Sequence, residues 1–109
     1  MTERQIQIQI VKWLRSERHL AIHVPNEGHR SPREAAILKR MGVITGVPDL
    51  LVLDLGLAIE VKTPKGTLTR SQDLFLQALR AIGWTVGVAR SLEDAQEIVR
   101  SCRTATKTD

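Results

Sequence analysis

A chain of 109 residues, 42% hydrophobic and 26% charged, has the composition of a soluble globular protein and the length for a single domain with one core, not two. No run approaches the roughly 18 apolar residues of a membrane helix, and one cysteine, Cys102, excludes an internal disulfide. The formal charge of +4 lies wholly in residues 1–40, where eight Lys/Arg stand against four acids, while residues 41–109 balance eight against eight.

Positive charge segregated in this way points to a polyanionic partner, nucleic acid before membrane, since no lipid-inserting helix or acylation signal is evident. The alternative is an ordinary solvated face on amphipathic helices. The opening MTERQIQIQIVKWLR carries charge where a signal peptide is apolar, so a cytoplasmic location is expected.

Ile6, Ile10, Trp13 and Leu14 recur at helical spacing and predict a first amphipathic helix from about Glu3 to Glu17. Leu20 to Val24 reads as a short strand ended by Pro25. Ser31-Pro32-Arg33-Glu34 combines an N-cap serine, a proline at the first helical position and a glutamate three residues on, which predicts a short helix running to Gly42. Two apolar runs, Asp49 to Asp54 and Leu57 to Lys62, flank Leu55-Gly56 as in a tight antiparallel hairpin. A second capping box, Thr69-Arg70-Ser71-Gln72, starts a helix whose stripe of Leu74, Phe75, Ala78, Leu79 and Ile82 ends at Gly83. Trp84 to Ala89 supplies a fourth strand, and Ser91 caps a last helix. The order predicts an α/β fold: a mixed four-stranded sheet flanked by helices, with a helical crossover between the third and fourth strands. The domain is expected over residues 1–103, with residues 104–109 as a polar tail.

Asp49, Glu60 and Lys62 interrupt strands that are otherwise apolar on both faces. With the turn centred on Leu55-Gly56, Asp49 faces Lys62 and Leu51 faces Glu60, so all three charges project from one face at one end of the hairpin. Two neighbouring carboxylates in a partly desolvated sheet repel and are costly to ionise. A divalent cation offsets both effects, and Mg²⁺ accepts two carboxylates, a main-chain carbonyl, waters and substrate phosphate. A metal so held suits phosphodiester hydrolysis, with the nearby ammonium orienting water or stabilising developing charge. A plain Asp49–Lys62 salt bridge with Glu60 solvated at the sheet rim is the competing reading.

Gly42-Val43-Ile44-Thr45-Gly46-Val47-Pro48-Asp49-Leu50, Ile59-Glu60-Val61-Lys62, the K-T-P-K-G turn, Gly66-Thr67-Leu68-Thr69 and Gln72 closely resemble the VRR-NUC domain, a branch of the PD-(D/E)xK nuclease superfamily. Glu3 and Gln7 in the first helix and Pro25-Asn26 extend the resemblance over nearly the whole chain. It implies a restriction-endonuclease-like core and a DNA endonuclease dependent on Mg²⁺, or alternatively Mn²⁺. It implies Asp49 and Glu60 as metal-binding carboxylates, the Val61 carbonyl as a further ligand, Lys62 as the catalytic lysine and Gln72 as an active-site glutamine. Gln72 has a competing role, returning to the Thr69 backbone as a cap. Glu3 is similar to a helix acid bordering the metal, directly or through water, and competes with a favourable charge at a helix start.

Asn26, His29 and Arg30, in the polar loop before the short helix, and Lys65 are the expected DNA contacts. The three histidines are spaced across a helix end, a strand and a loop, a poor zinc pattern. With two tryptophans, one phenylalanine and no tyrosine, base stacking is a small term. No GxxxxGK[ST] or GxGxxG occurs, so no nucleotide cofactor is expected. Small stand-alone relatives resemble phage nucleases that cut branched DNA such as four-way junctions as dimers, which implies a homodimer acting in a bacterial host cell. The alternatives are a flap or single-strand nuclease and a catalytically silent DNA-binding module.

Overall fold

The computed structural model describes residues 1–25 and 31–106. The elements run α1 (Glu3–Ser16), β1 (Ala21–His23), α2 (Pro32–Arg40), β2 (Leu50–Val52), a 3₁₀ turn (Leu53–Leu55), β3 (Leu57–Val61), α3 (Arg70–Ala81), β4 (Thr85–Ala89) and α4 (Leu92–Thr106). The strands form one sheet in the order β1-β2-β3-β4, antiparallel except for the parallel β3–β4 pair that α3 connects. This is the expected mixed four-stranded sheet flanked by helices.

Local chemistry accounts for the helix starts. Thr2 and Gln5 form a capping box for α1, Ser31 Oγ accepts the Glu34 N–H at α2, and Thr69 and Gln72 cap α3. At its far end α1 stops in a left-handed turn at Arg18, and His19 then donates its backbone N–H to the Leu14 carbonyl. The periodic face of α1 buries Ile6, Ile10 and Leu14 against Leu50, Val52, Leu57, Ile59 and Val61 of the sheet, with Ala95, Val99 and Cys102 of α4 completing the core. Because every residue of β3 is buried, its alternation separates two faces. Leu57, Ile59 and Val61 join the main core, whereas Ala58 and Glu60 point the other way.

Three expectations are corrected. The hairpin turn is centred one residue earlier than Leu55-Gly56: the 3₁₀ turn followed by left-handed Gly56 (φ 58, ψ 42) makes a four-residue loop. Strand partners are therefore Leu50↔Ile59, Leu51↔Ala58 and Val52↔Leu57, and the next pair in this register sets Asp49 opposite Glu60, not Lys62. Face parity survives, because the slip is by two residues in the pairing. The second helix ends at Arg40 with Met41 as its cap, short of Gly42, which adopts φ 105. Finally, α4 continues to Thr106, into the stretch expected as a tail, since an established helix gains a hydrogen bond with each added residue.

Candidate active site

Asp49 sits where the Gly42–Pro48 loop enters β2. Gly46, at φ 86, is buried, and a Cβ there would stand 2.4 Å from the Ser71 carbonyl oxygen. Only glycine lets this loop lie directly on the first turn of α3. Pro48, also fully buried, then delivers Asp49 to the strand end. There Asp49 Oδ2 accepts the Val61 N–H at 2.8 Å, which fixes the carboxylate against the end of β3. The Asp49 carbonyl is held from behind, by the Val24 N–H at 2.9 Å and by His23 Nδ1 at 2.8 Å.

Glu60 faces that carboxylate from β3 and is only 3% exposed. Its Oε2 is buried with no hydrogen-bond partner among the described residues. Burial first, then the neighbouring Asp49 and, more weakly, Glu3 push the Glu60 carboxyl up to about 9, while the Lys62 ammonium pulls the other way. Lys62 follows β3 directly, 7% exposed, its backbone N–H bonded to the Ala89 carbonyl at 3.0 Å. The reading of Glu60 as a solvated rim residue beside an Asp49–Lys62 bridge is thus overturned: the buried carboxyl belongs to the pair with Asp49.

On the open side, Glu3, Arg4 and Gln7 from α1 and His23 from β1 line a cleft of about 410 Å³ with Asp49. Glu3 therefore borders the site. Among the described residues no three His, Cys, Asp or Glu side chains converge into a metal cage. The donor set on offer is two carboxylates and a strand-end carbonyl, hard oxygens with one valence of Glu60 unsatisfied. That set fits a cation which keeps much of its water, as Mg²⁺ does, and not a zinc cage.

Gln72 is engaged in the cap. Its Oε1 accepts the Thr69 N–H at 2.9 Å while its own N–H donates to Thr69 Oγ1 at 3.2 Å. Lys65 is exposed in the turn after Lys62. Asn26, His29 and Arg30 lie outside the described residues. His19, far from this end of the sheet, is used structurally: Nδ1 meets Asp54 Oδ2 at 2.8 Å, and Asp54 Oδ1 accepts the Leu20 N–H at 2.7 Å. Arg4 and the positioning role of His23 were missed in the sequence. A cation in the first turn of α1, opposing the helix dipole, was the available signal for Arg4; His23 had none, because the β1–β2 pairing that aims it is long-range.

The family model for the VRR-NUC domain matches residues 1–93. This chain belongs to the VRR-NUC family. A solved structure named as a VRR_NUC domain protein is similar to it, with a TM-score of 0.70 and 26% identity over 93% of this chain and 87% of that one. No curated protein matches the chain significantly. VRR-NUC membership implies nuclease activity on DNA, and the mixed sheet with flanking helices is consistent with a restriction-endonuclease-like fold. No described helix is long and apolar enough to cross a membrane.

Proposed function

We propose that this VRR-NUC chain is a metal-dependent endonuclease that hydrolyses DNA phosphodiester bonds at Asp49, Glu60 and Lys62, and that it acts on branched DNA as a homodimer. The observation that carries the reading is the Asp49–Glu60 pair, two carboxylates held face to face with Glu60 Oε2 buried and unpartnered. Such a pair stabilises nothing by itself; leaving a carboxylate buried and uncompensated costs about 3–5 kcal/mol. A divalent cation makes it favourable.

Asp49, Glu60 and the Val61 carbonyl would hold Mg²⁺ or Mn²⁺, with Glu3 near enough to act through water. Once bound, the ion would polarise the phosphate and acidify a water. The chain's own contribution is positional. The Val61 N–H fixes the Asp49 carboxylate, and the Lys62 ammonium, held in a desolvated position, would orient the attacking water and stabilise charge on the phosphate. Gln72 keeps its side-chain NH₂ for a polar contact beyond its cap. Arg4, Lys65 and the loop residues Asn26, His29 and Arg30 would hold the DNA backbone. A small domain has little surface with which to tell a junction from a duplex, whereas a two-fold dimer offers paired sites to a two-fold substrate.

The test compares a labelled four-way junction, a flap and a linear duplex, in Mg²⁺ or EDTA, for wild type, Glu60→Ala and Lys62→Ala. The expected result is paired, metal-dependent nicks at the junction, abolished by either substitution, with DNA affinity within about threefold. Cleavage in EDTA, or full activity of Glu60→Ala, would remove the metal site. Preference for the flap would move the substrate and leave the chemistry standing.

A further inference from the structure

We infer that Arg90 is a positioning residue for Lys62, acting through the Thr63–Gly66 turn; this rests on the reading of Lys62 as the catalytic lysine. Strand pairing ends at Lys62, whose N–H is bonded to the Ala89 carbonyl. Beyond it the chain turns at once, the Gly66 N–H closing on the Thr63 carbonyl at 3.0 Å. A turn this tight gathers main-chain carbonyls that need donors. Arg90, the residue after β4, supplies them: its Nη1 donates to the carbonyls of Thr63 at 2.8 Å and Gly66 at 2.5 Å, with the Pro64 carbonyl at 3.4 Å.

Two further observations give this clamp a consequence for Lys62. First, the turn runs alongside the lysine stem: a Cβ added at Gly66 would come to 3.5 Å from Lys62 Cδ and 3.1 Å from Thr63 Oγ1, so the glycine itself lies within a methyl group's width of that stem. A displacement of Gly66 would therefore change the space open to the Lys62 side chain, which has four torsions to order. Second, Arg90 is itself anchored. Its backbone N–H donates to Asp94 Oδ2 at 2.9 Å, and the Asp94 N–H returns to Ser91 Oγ at 3.1 Å, tying it to the capped start of α4. Among the described residues no carboxylate pairs with its guanidinium, so the charge is directed at the turn and not at an ion pair. The three carbonyls converge on the single Nη1, carried at the end of a side chain longer than that of lysine.

The test follows Lys62 directly, by NMR relaxation of ¹³C-labelled lysine in the full chain without DNA, the Lys62 signal being identified by its loss in Lys62→Arg. Arg90→Gln should make the Lys62 side chain mobile while Lys12 and Lys39, outside the turn, are unchanged, with Arg90→Lys intermediate. In cleavage assays the same variant should lose about 10- to 100-fold in kcat, keep KM within about threefold and regain activity with added guanidinium ion. Should Arg90→Gln fail to fold, Arg90→Lys carries the measurement. Wild-type order at Lys62 in the variant that folds overturns the inference. Lys62→Ala cutting at the wild-type rate would instead defeat the nuclease reading, and the relaxation result would still stand by itself.

Discussion

With its carboxyl raised to about 9 by burial and by the facing Asp49, Glu60 keeps its proton at neutral pH when no cation is bound, whereas in the unfolded chain it ionises near 4.5. Below the lower value both states are protonated and the group opposes nothing. As pH rises toward the upper value the unfolded state alone is ionised, so stability is progressively lost across that window. Glu60→Gln, which copies the protonated form, should therefore melt higher than wild type at about pH 8 in EDTA and match it near about pH 4. Parallel melting curves over the whole range would contradict this. Asp49→Asn removes the neighbouring charge and should narrow the same window, a readout independent of cleavage. At this scale Asp49, Glu60 and Lys62 were legible in the sequence because charges on apolar strands need a reason. Gln72 was ambiguous, since one glutamine satisfies a cap and a catalytic motif alike, and the structure engages its Oε1 in the cap.

Among the elements, the β2–β3 hairpin decides the chemistry. A turn centred on Leu55-Gly56 would have given Asp49 a lysine partner; the 3₁₀ turn moves the centre by one residue and gives it a glutamate instead. Apolar Leu53 and Leu55 carry no turn signature, so only the left-handed Gly56 was readable. The loop before β2 depends on Gly46 in the same way. Gly46→Ala would place a methyl 2.4 Å from a backbone oxygen of α3 at a positive φ, and should cost about 2 kcal/mol or more, measured by urea denaturation. Cleavage should fall further than stability predicts, because this loop delivers Asp49. A variant as stable and active as wild type would mean that loop and helix separate without consequence.

For the whole molecule, the fold brings the start of α1, the end of β1 and the entry to β2 to one cleft, while the excess of positive charge lies in residues 1–40. DNA affinity should therefore fall steeply with salt, about one unit of log–log slope for each phosphate neutralised. Arg4→Ala should weaken binding and lower that slope by about one, with kcat little changed. A flat salt response would remove backbone contacts from the reading. Sedimentation of the full chain should give twice the 12.2 kDa protomer mass if branched DNA is met by a two-fold dimer. A monomer that still nicks both strands of a junction would separate the activity from the assembly.

The sequence by itself determined which segments are helix and which are strand, because caps, prolines and hydrophobic period act over a few residues. It also determined that Asp49, Glu60 and Lys62 share a face, since alternation along a strand survives a register slip of two. Tertiary structure alone decided which carboxylate meets which, that His23 holds Asp49 from β1, and that Arg90 reaches back 24 residues to the turn after Lys62. Those contacts depend on strand order and on where a loop bends. Neither is a local property, and so neither leaves a periodic trace in the chain.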